Sequence, residues 1–421
     1  MLLYNTKSTY LFLFLWMNFQ LISCAQQAKS AVKKVKKEQT ALKTGADRTN
    51  LYLSKLQGKN IAIVANQTSV LHVLQRAEVA PNIMGSELVS HHLVDYLHNY
   101  DKIVVKKVFA PEHGFRGKAD AGEQVKDGLD KKTNLPIVSL YGKNKKPSQE
   151  QLKGIDVVVF DIQDVGARFY TYISTLHYVM EACAEANVPV IVLDRPNPNG
   201  HYIDGPVLET EHKSFVGMHP VPVVYGMTIG EYGQMINGEK WLTNGIQCDL
   251  TVIPLEGYTH DYQYSLPIKP SPNLPNNKAI NLYPSLCFFE GTNVSAGRGT
   301  DKQFQIYGSP FLNKSNFSFT PQPNEGAKYP KHENKLCYGK DLTDTEHLSR
   351  LNLSWLLKAY DQTNNKKEFF NTFFTKLAGT KKLQEQIEQG FSEKEIKASW
   401  KEDLEAFKKV REKFLIYSLY L

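Results

Sequence analysis

The chain has 421 residues, 42% hydrophobic and 22% charged, and its 50 Lys and Arg against 43 Asp and Glu leave a net charge of +7. That length exceeds one typical hydrophobic core and sets two domains as the expectation, while the ordinary composition excludes a disordered or collagen-like chain. Much of the positive charge sits in the run 29–37, and no basic stripe with interleaved aromatics follows it, so no nucleic-acid partner is expected.

Lys7 precedes a short apolar run, 10–17, and Leu21-Ile22-Ser23-Cys24 follows. A charged start, a short apolar core and small residues describe a secretory signal that is too short for a comfortable membrane span. The last four residues also resemble a bacterial lipobox, in which the cysteine becomes the lipidated first residue. Residues 1–24 are therefore expected to be a lipoprotein signal peptide with Cys24 as the lipidation site. The Lys-rich residues 25–48 would form a flexible tether. This organisation predicts a lipid-anchored protein of the bacterial cell envelope, facing the periplasm or the cell surface.

Apolar runs at 61–65, 103–109, 136–140, 155–160 and 189–193 predict five buried strands. Between them, Leu88, Leu93, Tyr96 and Leu97 place a helix over 86–100, and Ile173, Leu176, Met180 and Cys183 mark one face of another. Unbroken Val/Ile strands alternating with amphipathic helices predict an α/β fold, a Rossmann-like parallel sheet with helices on both faces. This catalytic domain is expected over 49–255. A smaller, mixed α+β auxiliary domain is expected over 256–421, closing a cleft. It begins with a Pro/Asn-rich stretch, 266–276, and ends in helices whose core includes Leu383, Ile387, Ile396, Trp400 and Phe407. Cys183, Cys248 and Cys287 have apolar neighbours, which predicts buried, unpaired thiols.

Ligands of open parallel sheets bind beyond the carboxyl ends of the strands. There the chain carries Asn66; Glu112 and His113; Asp161, Asp164 and Arg168; and Asp194, Arg195 and Asn197. Together they predict one carboxylate- and amide-rich rim. The stretch 108–123 is the densest, with the carboxylates Glu112, Asp120 and Glu123 among glycines. Carboxylates crowded in a loop repel one another, a cost that points to acid–base chemistry. Glu112 is the candidate proton donor, and either pair of carboxylates three apart, Asp161 and Asp164 or Asp120 and Glu123, could supply the second catalytic carboxylate. Arg168, Arg195 and Arg298 suit an anionic substituent, Tyr170 suits stacking, and the loop with Glu290 and Arg298 suits closure over the rim. No cofactor or metal is expected, since the chain has no G-x-G-x-x-G after a strand, no phosphate-cradling loop and no H-E-x-x-H. The absence of G-x-S-x-G excludes the serine hydrolase motif.

The motifs at 109–117, 160–172, 193–200, 205–208, 215–220, 271–275, 289–292 and 297–301 resemble the exo-β-N-acetylmuramidase (NamZ) family. The resemblance implies a Rossmann-like domain with a smaller C-terminal domain. It also implies an exo-acting glycoside hydrolase that releases N-acetylmuramic acid from the non-reducing end of peptidoglycan fragments, at the β-1,4 bond to N-acetylglucosamine. Muropeptides or such oligosaccharides would be its partners. The glutamate of the family's Pro-Glu-His-Gly motif, here Glu112, would be the general acid. The alternative reading is a muropeptide-binding lipoprotein without catalysis.

Overall fold

The structure is a computed structural model that describes residues 41–80, 83–116 and 127–419. Cys24 and the signal, most of the tether, and Asp120 and Glu123 lie outside the described residues. The elements of the fold all belong to the unit Leu42–Leu421.

Twelve strands are described: β1 (Asn60–Ala65), β2 (Val70–Ala80), β3 (Ile83–His92), β4 (Val104–Ala110), β5 (Gly128–Leu129), β6 (Pro136–Ser139), β7 (Val157–Asp161), β8 (Val190–Leu193), β9 (Leu250–Ile253), β10 (Ile306–Ser309), β11 (Ser318–Phe319) and β12 (Cys337–Asp341). Seven form one sheet in the order β5-β6-β4-β1-β7-β8-β9. Only the short β5 runs antiparallel. The chain enters at β1, steps outward to β4 and β6, then returns to the other flank of β1 with β7. The switch point of the sheet therefore lies between β1 and β7.

Strand periodicity explains why both faces are covered. Ala62, Val64, Val158, Phe160, Val190 and Val192 enter one hydrophobic cluster, while Ile61, Ile63, Val157, Val159, Ile191 and Leu193 enter another. Alternate side chains point to opposite faces, so a strand apolar at every position needs a layer on each side. On one side lie α1 (Leu53–Leu56) and α2 (Leu93–His98); on the other lie α3 (Gln149–Leu152), α4 (Tyr172–Ala186) and α5 (Ile229–Gly238). The expected face of α4 (Ile173, Leu176, Met180, Cys183) is buried throughout.

Beyond β9 come α6 (Asn277–Leu286), the antiparallel sheet β10-β12-β11, and the helices α7 (Ser354–Gln362), α8 (Phe373–Ala378), α9 (Lys382–Glu388), α10 (Glu393–Ala398) and α11 (Lys401–Glu412). The cluster on the α4 side continues without a break into Tyr283, Phe288, Trp355, Ile396 and Phe407. The sheet and the C-terminal region thus share a core.

The helix expected over 86–100 is corrected. Residues up to His92 pair with β2 in a long antiparallel hairpin, and the helix begins only at Leu93. Leu74 and Leu88 face each other across that hairpin and are 73% and 60% exposed, so the apolar spacing that suggested a helix buries nothing there.

Candidate active site

Beyond β4 the chain passes Pro111 and turns sharply, with His113 at φ 70° and Gly114 at φ 77°. Left-handed backbone is uncommon at a residue with a side chain, and such turns concentrate at functional sites. The turn leaves Glu112 half-buried while Pro111 and His113 are buried. Thr171, the residue before α4, donates from its hydroxyl to Glu112 Oε2 at 2.6 Å. The Tyr172 hydroxyl lies 3.4 Å from the carbonyl oxygens of Glu112 and Pro270, and Asn66 Nδ2 donates to it at 2.9 Å. Two strand ends, the start of α4 and the Pro-rich stretch therefore meet at one carboxylate.

Glu112 opens into a cavity of about 280 Å³. His113, Tyr170 and Thr171 line it together with Asn273, Glu290 and Arg298 from the C-terminal region, and Tyr141, Phe215, Phe304 and Phe373 add aromatic surface. Arg298 Nη1 donates to Glu290 Oε2 at 3.3 Å and Nη2 to the Gly326 carbonyl at 3.2 Å. The loop carrying Glu290 curls around the Lys331 ammonium, which donates to the carbonyls of Phe289 (2.8 Å), Val294 (3.1 Å), Glu290 and Thr292. Burial pulls that ammonium below its usual range.

The expected single rim is corrected, because most of its members are internal fasteners. Arg168 is fully buried and donates to the carbonyls of Pro206 (2.8 Å), Val221 (2.7 Å), Leu377 (2.9 Å) and Ala378 (2.6 Å). Burial depresses its guanidinium to about 9. Gly379 at φ 72° leaves it room, since a Cβ there would come within 2.8 Å of Arg168 Nη2. Asp161 is sealed in a two-point ion pair with Arg195, at 2.6 and 2.9 Å. Asp164 accepts from Tyr225 and from the Gly166 N–H, and burial pushes it up to about 6. Asp194 accepts from Thr228 and Tyr417 at 2.8 and 2.6 Å and is pushed up by burial to about 7. Asn197 donates to the Met227 carbonyl at 2.8 Å. None of these, nor Asn66, lines the Glu112 cavity, whereas Glu112, His113, Tyr170, Glu290 and Arg298 do.

A family model described as exo-beta-N-acetylmuramidase NamZ, N-terminal, matches residues 61–278, and its C-terminal counterpart matches 281–417. The chain belongs to the NamZ family. It is 37% identical to the peptidoglycan beta-N-acetylmuramidase NamZ of Bacillus subtilis (strain 168) over an alignment of 441 residues, covering 98% of this chain and all of that protein. Among solved structures, a DUF1343 family protein of Bacteroides fragilis NCTC 9343 superposes with a TM-score of 0.79 at 45% identity, over 90% of this chain and 99% of that one. A second protein of that description and organism gives 0.73 at 28%, with the same coverage. The likeness to these neighbours spans both the sheet and the C-terminal region.

Sequence reasoning missed Thr171, Tyr141, Phe215, Asn273 and Phe373 as cavity residues. Phe215 and Asn273 stand within motifs 215–220 and 271–275, which supplied the only signal for them. Among the described residues, the one group placed to share a metal ion is Glu209, Glu211 and His212, none of which lines the cavity. Cys183, Cys248, Cys287 and Cys337 are free and buried, as expected for the first three. Among the described residues no helix is long and apolar enough to cross a membrane.

The raised Asp164 carboxyl has a measurable consequence. Its folded value of about 6 lies above the ~3.9 of an unfolded aspartate, so its favourable contribution is present at low pH and is lost as pH rises through that window. Asp164→Asn escapes that loss. Its stability relative to the parent should therefore improve by ~2–3 kcal/mol between pH 4 and pH 7.5, measured by urea unfolding at each pH.

Proposed function

We propose that this protein is an exo-acting β-N-acetylmuramidase that releases N-acetylmuramic acid from the non-reducing end of peptidoglycan fragments, cleaving the β-1,4 bond to N-acetylglucosamine with Glu112 as general acid. The observation that carries it is Glu112, held by Thr171 at 2.6 Å, lining an aromatic cavity together with Glu290 and Arg298. Membership of the NamZ family supports the reaction class. Glycoside cleavage needs a proton delivered to the leaving oxygen and a second group on the opposite face of the sugar. The Thr171 hydroxyl orients the Glu112 carboxyl, so that the proton is delivered from the other oxygen. Aromatic rings receive the apolar face of the sugar, and a cavity this small closes around one terminal unit, consistent with exo action.

Arg298 serves the lactyl carboxylate of muramic acid. Arg168 is committed to four carbonyls and is out of reach, which leaves Arg298 as the lining arginine. Glu290, its partner, is the second carboxylate among the described lining residues. It stands to orient Arg298 or to steer the substrate acetamide.

The Leu21-Ile22-Ser23-Cys24 pattern supports delivery to the cell envelope as a lipoprotein. Cys24→Ser should move the protein from the membrane fraction to the soluble fraction and abolish labelling by a radioactive fatty acid; retention of the label would rule out Cys24 as the anchor.

On a muramic acid–N-acetylglucosamine disaccharide, Glu112→Gln should lower kcat by about 10²–10⁴-fold while the unfolding midpoint stays in place. Near-normal turnover would refute the general-acid role, and sugar binding without turnover by the parent protein would favour a binding lipoprotein instead. Arg298→Met should raise KM for that disaccharide by about tenfold, with no such change for an analogue lacking the lactyl carboxylate.

A further inference from the structure

A second cavity, of about 320 Å³, lies at the switch point of the sheet and shares no lining residue with the Glu112 cavity. Thr68 beyond β1, Gln163 beyond β7 and Arg195 beyond β8 line it from the strand ends. His72 of the hairpin and Tyr264 and Ile268 of the strap before α6 complete it. Crevices at this position are where doubly wound sheets take ligands, and the volume is at the small end of small-molecule sites.

Two nearly buried side chains each leave one polar atom unused. Arg195 is 5% exposed; its Nε and Nη2 are committed to Asp161 and the Val70 carbonyl, and its Nη1 has no partner among the described residues. Gln163 is 3% exposed; its Nε2 donates to the carbonyls of Asp164 and Pro196 at 2.8 and 2.7 Å, and its Oε1 accepts from no described residue. Neither atom is among the unpartnered polar atoms sealed from solvent, and both residues line the cavity. The site therefore presents one fixed donor and one fixed acceptor beside an aromatic and aliphatic wall.

Charge narrows the ligand. Asp161 already neutralises Arg195, and Asp47 adds a second negative field at the guanidinium. An anion would gain little there, whereas a secondary amide offers the matching pair, a carbonyl that accepts and an N–H that donates. We infer that this cavity binds an uncharged N-acetylhexosamine unit. Its acetamide carbonyl accepts from Arg195 Nη1, its amide N–H donates to Gln163 Oε1, and its ring lies against Tyr264. The choice of an N-acetylated sugar among secondary amides rests on the proposed glycosidase function; the donor–acceptor pair does not.

The test is calorimetric titration of the full chain with N-acetylglucosamine, glucose and N-acetylalanine amide, together with a crystal soaked in N-acetylglucosamine. N-acetylglucosamine should occupy the switch-point cavity, and glucose, lacking the amide, should bind at least about tenfold more weakly. Tyr264→Ala and Gln163→Leu should each weaken N-acetylglucosamine about tenfold, with thermal unfolding confirming the fold; Tyr264 is partly exposed and keeps the test valid if the Gln163 variant does not fold. Sugar density confined to the Glu112 cavity, or equal binding of glucose, would overturn the proposal. Tighter binding of N-acetylalanine amide would overturn it in favour of a peptide ligand. Muramidase turnover reads the catalytic proposal separately, so loss of one result leaves the other standing.

Discussion

The site depends on one buried guanidinium. Arg168 ties the Pro206 and Val221 carbonyls on the sheet side to those of Leu377 and Ala378 at the end of α8. Phe169, Tyr170 and Thr171, which come next in the chain, line the catalytic cavity, and so do Phe373 and Leu377 on the partner segment. A single planar group thus ties the two sets of lining residues together. A charge buried this way is costly to desolvate and is offset here by the four carbonyls on Nη1 and Nη2, while Nε has no partner among the described residues, which makes any loosening of the clamp expensive. That is the stiffness a site needs if Thr171 is to hold Glu112 in one orientation.

Much of the sheet was legible because a strand apolar at every position has only one comfortable home, between two layers. The runs around Ile63 and Val159 announced this, and so did the Ile173–Cys183 face of α4. The β2–β3 hairpin was not legible. Leu88 happens to fall in a helical spacing with Leu93, Tyr96 and Leu97, and the hairpin's pairing is long and local, so nothing in Leu74 or Leu88 signals burial.

At the site, the same ambiguity separates the residues that line the cavity from those that do not. Glu112, Glu290 and Arg298 stood in glycine-punctuated loops and do line the cavity. Asp161, Asp164, Asp194 and Arg168 stood equally well placed at strand ends, yet they fasten crossing loops together. A ligand-binding carboxylate and a buried one that caps N–H groups look alike until partners are seen, because both satisfy the rule that buried polar atoms find hydrogen bonds. The partners of Asp194, Thr228 and Tyr417, lie 34 and 223 residues away, beyond any local pattern. Family motifs marked Phe215 and Asn273 as special without saying why; their place on the cavity wall supplies the reason.

The Lys331 ammonium adds a property of a different kind. Loops that wrap their carbonyls around a cation usually borrow it from solution, and their shape then follows the concentration of that ion. Here the cation is tethered to the chain and cannot diffuse away. The loop that presents Glu290 to the Glu112 cavity is thereby wrapped around a cation that the chain itself supplies, so its curvature does not depend on an ion taken from the medium that surrounds the protein.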